Sequence, residues 1–165
     1  MILTDSEIRA ACASPDGGIA ITPFDERSVE PASYDLRVGR QAATTSRKRI
    51  TDLEREEFVE VEPGDFAIVS TFETLRLDNR HVGRFGLTST HARRGLIATV
   101  GPQIDPGFHG RITVGVTNLS TKPVTLTYQD HFLTVEFHRL ENPSTHLTQD
   151  STKTASSSPR MTSKQ

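Results

Sequence analysis

The sequence predicts a mainly β fold, a barrel or sandwich of short strands with one short helix at the N-terminus. Two observations carry this expectation. Short segments rich in β-branched residues recur along the chain, several of them alternating apolar and polar, with turn dipeptides between them. A helix-start signal backed by an apolar helical face stands at the N-terminus. Many short strands at this spacing point away from a parallel βαβ sheet.

The helix comes first. Thr4-Asp5-Ser6-Glu7 reads as a capping box, in which the Thr4 hydroxyl meets the amide three residues on and Glu7 reaches back. Ile8, Ala11 and Cys12 then share one helical face, and Pro15-Asp16-Gly17-Gly18 ends the helix. Strands are predicted at IAI (19–21), YDLRV (34–38), FVEVE (58–62), FAIVS (66–70), ITVGVTN (112–118), VTLTY (124–128) and FLTVEF (132–137). Pro63-Gly64, Pro106-Gly107, Lys122-Pro123 and Gln129-Asp130 supply turns. Residues 40–55, rich in charge, read as a solvated, flexible excursion. In the last predicted strand, alternation turns Phe132, Thr134, Glu136 and His138 to one face and Leu133, Val135 and Phe137 to the other.

The chain has 165 residues, enough for one domain with a respectable core. Its net charge of −2 argues against binding polymeric nucleic acid by bulk electrostatics, but leaves room for a small phosphate pocket. A single cysteine, Cys12, allows neither an internal disulfide nor a thiolate zinc cage, and fits a reduced, cytoplasmic setting. The N-terminus carries early acids and no basic patch before an apolar run, so no signal peptide is expected. No apolar stretch approaches the roughly 18 residues that span a bilayer, so no membrane partner is expected. Eleven of the last 24 residues are Ser or Thr, which places a folded domain over 1–141 and a disordered tail over 142–165.

Chemistry concentrates in two segments. In LTSTHARRGL (87–96), Thr88, Ser89 and Thr90 precede His91, Ala92, Arg93 and Arg94. Small hydroxyls wrap phosphate oxygens, arginine offers a planar fork for them, and Ala92-Arg93-Arg94-Gly95 reads as a short helical turn. The same cluster also reads as a surface turn with solvated arginines. In GPQIDPGFHGR (101–111), Asp105 stands before Pro106-Gly107. It is either an acid beside a sugar hydroxyl, a base aligning water, or an Asp that bonds its own turn. His81, His109, His131, His138 and His146 show no regular ligand spacing and read as surface or hydrogen-bonded side chains, whereas His91 lies in the phosphate-like segment.

Several motifs in order resemble the dCTP deaminase and dUTPase superfamily, most closely its deaminase branch. They are MILTDSEIRAA, VEPASYDLRVG, PGDFAIVSTFETLRL, VGRFGLTSTHARRGL and QIDPGFHGRITVGVTNLSTKPVTL, and together they cover about 140 residues. The resemblance implies a dUTPase-like distorted antiparallel β-barrel that assembles as a homotrimer with pockets between subunits. It implies a deoxypyrimidine nucleoside triphosphate as ligand, with Mg²⁺ carried on the phosphates. Thr88 through Arg93, including Ser89, Thr90, His91 and Ala92, would line the triphosphate. Asp105 would sit by the deoxyribose 3′-hydroxyl or position the attacking water. Thr113, Val114 and Gly115 would flank the base, and Asp35 and Arg37 would hold the surrounding structure.

The chain departs from the deaminase pattern at four places. Gly115 stands where that branch carries its proton-moving glutamate, Thr88 where it carries an arginine, and Leu87 where it carries a glycine. The Ser/Thr-rich end also lacks the family's closing segment. A glycine moves no proton. Three readings stay open: an enzyme that deaminates dCTP to dUTP, hydrolyses dUTP to dUMP and diphosphate, or does both; an inactive nucleotide-binding or regulatory homotrimer; and a purely structural trimer.

Overall fold

The computed structural model describes residues 1–47, 49–99 and 101–147. In chain order the elements are α1 (Asp5–Ala13), β1 (Ile19–Thr22), a 3-10 turn (Glu26–Ser28), β2 (Val29–Glu30), β3 (Ser33–Thr44), β4 (Ile50–Asp52), α2 (Leu53–Glu56), β5 (Phe58–Val61) and β6 (Phe66–Thr71). They continue with β7 (Thr74–Leu77), β8 (His81–Leu87), α3 (Ser89–Arg93), β9 (Leu96–Ala98), β10 (Gln103–Ile104), β11 (His109–Gly110), β12 (Thr113–Asn118), β13 (Val124–Thr127) and β14 (His131–Arg139).

The fold is mainly β, as the sequence predicts. Its main sheet runs β10-β8-β14-β3-β6-β12-β9, with β2 and β4 added to β3, and every pairing in it is antiparallel. Smaller sheets join β1-β7-β11 and β13-β5. The long strand β3 curls the main sheet into a half-barrel. Its first half, Tyr34 to Arg37, pairs with β14, and its second half, Val38 to Thr44, pairs with β6. The register slips between Val38 and Ala42, where the Gly39 backbone packs on the Thr71 carbonyl too closely for a Cβ.

The predicted helix forms. Glu7 Oε2 accepts from the Thr4 amide at 2.9 Å and from the Thr4 hydroxyl at 3.1 Å. Ile8 is buried, and Ala11 and Cys12 pack against the core. Burial pushes the Cys12 thiol up to about 11. Among the described residues, no helix is long and apolar enough to cross a membrane.

Two expectations need correction. Residues 40–55 hold the end of β3, β4 and α2 instead of a flexible excursion. Their charges pair locally, Arg40 across the β3–β4 hairpin with Asp52 at 2.7 Å and with Glu54 beyond it at 3.1 Å, and Arg49 with Glu56 of α2 at 2.9 Å. Ala42, Thr51 and Leu53 meanwhile turn into the core. A run of charges in one dimension hides the apolar residues that alternate with it. Secondly, Phe132 leaves its predicted face: both Phe132 and Leu133 are fully buried, because the register with β3 shifts between His131 and Leu133. The N-terminal helix is joined by two single-turn helices, α2 and α3, the latter overlapping the helical turn expected around Ala92. Strands β7, β8 and β9 also lie outside those the apolar pattern marks. Arg76 and Arg84, exposed on β7 and β8, interrupt the apolar runs there.

The core runs between the curled sheet and the smaller ones, with Tyr34, Leu36, Val69, Val114, Val116, Leu126 and Phe137 fully buried. One charged unit sits inside it. Glu73 is completely buried and accepts from Arg37 twice, from Nε at 2.6 Å and from the backbone amide at 2.9 Å. The Arg37 guanidinium also stands 4.8 Å above the Phe72 ring and 3.4 Å from Asp25. Removing Glu73 leaves the largely buried Arg37 guanidinium with only its longer contact to Asp25, and breaking a buried pair in this way typically costs about 3–5 kcal/mol. Glu73→Ala is therefore expected to lower stability by that amount in urea unfolding. The exposed Arg40→Ala should cost no more than about 1 kcal/mol.

Candidate functional site

The hydroxyl-and-arginine segment folds into a single turn at the end of β8. The helical turn opens at Ser89, three residues earlier than the sequence reading placed it. Its position is fixed by the Thr88 amide, which donates to the Phe132 carbonyl of β14 at 2.9 Å. Thr88, Ser89, Thr90 and His91 line a hollow of about 350 Å³. Asp35 of β3, Arg94, Asp130 and His131 complete its wall. Ala92 and Arg93 are exposed and lie outside that lining, with Arg94 in the place at the hollow that the sequence reading gave to Arg93.

His91 is buried, and its Nδ1 lies 3.1 Å from the Thr88 hydroxyl. Burial lowers its pKa from the ordinary histidine value, the Arg94 charge lowers it further, and Asp130 opposes both. His131 is held by Ser28, with Nε2 2.9 Å from Oγ. His81 pairs with Asp78 at 2.8 Å, away from this hollow. The cradle therefore carries cationic and carboxylate groups together, with neutral hydroxyls between them.

Asp105 lines a second hollow, of about 370 Å³, with Gln103, Pro106, Ser144, His146 and Leu147. Its carboxylate accepts from the Gln103 side-chain amide at 2.8 Å. The turn itself is closed by backbone, the Phe108 amide donating to the Asp105 carbonyl at 3.1 Å. Residues 142–147 reach this hollow after the Ser144 amide donates to the Asn79 carbonyl at 2.7 Å. The rest of the predicted tail, from residue 148, lies outside the described residues.

Thr113 lines a third hollow of about 230 Å³, with Gln41, Ala43, Ile50, Ile68 and Ser70 among its walls. Strand alternation separates the base-flanking trio. Val114 is fully buried in the core and offers only its backbone, whereas Thr113 is exposed and Gly115 shares its face. Gly115 lies opposite Ile68, and Ile68 opposite Ala43, which in turn pairs with Ile50. The next row holds Phe66, Thr117 and Ile97. From the sequence, Phe66 and Ile68 read only as strand residues. The signal was the β6 pattern itself, where apolar residues occur at every position from Phe66 to Val69 and so must cover both faces.

Within one chain, then, the three hollows share no lining residue. The cradle, the Asp105 carboxylate and Thr113 open separately on its surface.

The family model described as dCTP deaminase-like matches residues 2–140. The chain belongs to this family. The dCTP deaminase of Thermococcus sibiricus is 38% identical over 144 residues, covering 87% of this chain and 86% of that protein. The dCTP deaminase of Pyrococcus furiosus is 37% identical over 143 residues, covering 87% and 85%. A dUMP-forming dCTP deaminase of Acidothermus cellulolyticus is 32% identical over 143 residues, covering 76% and 73%. Among solved structures, the 2′-deoxycytidine 5′-triphosphate deaminase of Agrobacterium tumefaciens superposes with a TM-score of 0.70 at 21% identity, over 84% of this chain and 47% of that one. This chain thus spans about half the length of that structure. The EIAV dUTPase superposes with a TM-score of 0.56 at 21% identity, over 79% and 96%. At these identities the superpositions speak for the fold: this dCTP deaminase-like chain has a dUTPase-like antiparallel β architecture.

The buried His91 makes stability depend on pH. Its folded pKa is lowered, so the unfolded chain binds the proton first. Stability is then full above the ordinary histidine value of about 6.5 and falls as pH drops below it. Urea unfolding between pH 7.5 and 5 should show this loss, and His91→Gln should flatten that acid slope. Equal slopes for the two proteins would remove the assignment.

Proposed function

We propose that this chain binds a deoxypyrimidine nucleoside triphosphate at pockets completed between the subunits of a homotrimer. The triphosphate lies on the turn from Thr88 to Arg93, the deoxyribose beside Asp105, and the base against the outer face of β12 at Thr113 and Gly115. The observation that carries the reading is the separation of these groups. The Thr88–His91 turn, Asp105 and Thr113 each line their own open hollow on a single chain, and an apolar sheet face bears Ile50, Phe66, Ile68 and Ile97, between 37% and 70% exposed. An exposed apolar face of this kind is what a second copy covers. Docking of copies also brings Arg93, exposed and outside its own hollow, within reach of a ligand seated on a neighbour.

The hydroxyls of Thr88, Ser89 and Thr90 are suited to phosphate oxygens, and the arginines supply charge-assisted contacts. Asp35 and Asp130 in the same hollow offset part of that charge. Among the described residues, no group of three or more His, Cys, Asp or Glu could hold a metal by itself. Mg²⁺ therefore fits as a companion of the phosphates, neutralising them as it usually does in triphosphate sites. The protein's own part is to fix the phosphates and to present Asp105 to the sugar or to water. The setting we propose is the cytoplasm.

The curated relatives are named for deaminating dCTP, and one as dUMP-forming. We therefore propose conversion of dCTP to dUTP, hydrolysis of dUTP to dUMP and diphosphate, or both as the chemistry. A second reading is favoured by Gly115, which places no acid or base where the family glutamate stands. On that reading the chain keeps the nucleotide pocket as a regulatory or binding module without deamination. Hydrolysis is less affected, because it calls on Asp105 rather than on position 115.

The test is incubation of the pure protein with dCTP or dUTP and Mg²⁺, with melting temperature and products measured together. Either nucleotide at about 100 times its Kd is expected to stabilise the fold by about 2.7 kcal/mol, read as a rise in melting temperature. Arg93→Ala should reduce that rise. No rise with either nucleotide would overturn the proposal. A rise without dUTP, dUMP or diphosphate at high protein concentration would select the binding module over the enzyme.

A further inference from the structure

Gly115 sits mid-strand on the outer face of β12, and the space above it is already taken. A Cβ built at this position would meet Thr99 Oγ1 at 2.5 Å and Phe66 Cε2 and Cζ at 2.7 and 2.8 Å. Real Cβ atoms do not come that close, so no side chain stands at 115 unless Phe66 or Thr99 moves. The register explains the encounter. Phe66 is paired with Thr117, and Gly115 is the diagonal neighbour on the same face, within reach of an aromatic ring. Thr99 arrives from the other side, its amide donating to the Gly115 carbonyl at 2.8 Å. Covering an otherwise bare strand glycine with an aromatic ring is a recognised way of stabilising a sheet.

Packing on the glycine leaves Phe66 37% exposed, on the face it shares with Ile68 and Ile97. A large ring resting on backbone is held in place while part of its surface stays open. Beside it stands a hydroxyl able to donate or accept. Flat heterocycles stack on such rings whatever their ring substituents, because each has a π face.

We propose that Phe66 is a further base-binding residue of this site. Its ring fills, with the Thr99 hydroxyl, the volume that a longer side chain at 115 would claim, and offers its exposed face to the pyrimidine base. The inference rests on the nucleotide-binding reading above. It adds that the wall facing the base is aromatic and hydroxylic and carries no group that titrates. Stacking does not distinguish cytosine from uracil, and a hydroxyl meets either the amino group of one or the carbonyl of the other. The site therefore accepts both bases with similar affinity.

The experiment is calorimetric titration of the full chain and its variants with dCTP and with dUTP in the presence of Mg²⁺. Wild-type affinities for the two nucleotides are expected to agree within tenfold. Phe66→Leu keeps the apolar cover but removes the ring and should weaken both by fivefold or more. Phe66→Tyr should restore them. If wild type binds neither nucleotide, the nucleotide-binding reading fails. If wild type binds and Phe66→Leu binds equally well, or Phe66→Tyr does not restore affinity, or wild type prefers one base by more than tenfold, this inference fails while that reading stands. Should Phe66→Leu not melt cooperatively, Thr99→Val carries the test. It keeps the shape and removes the hydroxyl, so a threefold or greater loss for both nucleotides supports the proposal and a smaller loss overturns it.

Discussion

The Arg37–Glu73 pair is the constraint around which the half-barrel is arranged. Arg37 lies where β3 stops pairing with β14 and begins to pair with β6. Glu73 lies in the tight connection between β6 and β7. By taking both the side chain and the backbone amide of Arg37, the buried carboxylate ties this connection to the bend of β3. Neighbouring groups finish the joint. The Thr71 hydroxyl donates to the Glu73 carbonyl and accepts from the Ile112 amide just before β12. The Phe72 amide donates to the Arg37 carbonyl. Buried charges are costly unless every lone pair and proton is met, so the geometry here admits few alternatives.

That joint also places the candidate site. β12 leaves it with Val114 and Val116 turned inward, which obliges Thr113, Gly115 and Thr117 to face out beside Phe66 and Ile68. β14, paired to the other half of β3, positions the turn at Thr88 through its Phe132 carbonyl. The proposed phosphate and base contacts thus hang from opposite arms of one bent strand. Their separation on a single chain follows from the curl of the sheet, and assembly of copies is the means by which we propose they meet.

Local chemistry was legible without coordinates. The capping box needs only four consecutive residues, and its Glu7–Thr4 bonds form as read. Alternation over Val114 to Val116 and the turns at Pro63-Gly64 and Pro106-Gly107 are likewise properties of short windows. The order of motifs along about 140 residues was enough to suggest the family. What escaped was pairing between distant windows. Arg40 found its partner Asp52 across a hairpin, Phe132 turned inward at a register shift, and Phe66 came to rest on a glycine 49 positions away in sequence.

The sequence by itself determined a β-rich domain, its helix start, its turns and the residue types available to a phosphate and a sugar. Those depend on backbone preferences and on neighbours within a few residues, which any window carries. Only the tertiary structure decided that Arg94 rather than Arg93 borders the cradle of its own chain, and that the space above Gly115 is filled by a ring and a hydroxyl. The first follows from where the turn after β8 opens, the second from strand register. A register is set by many simultaneous contacts between segments far apart in the chain, and no single segment contains it.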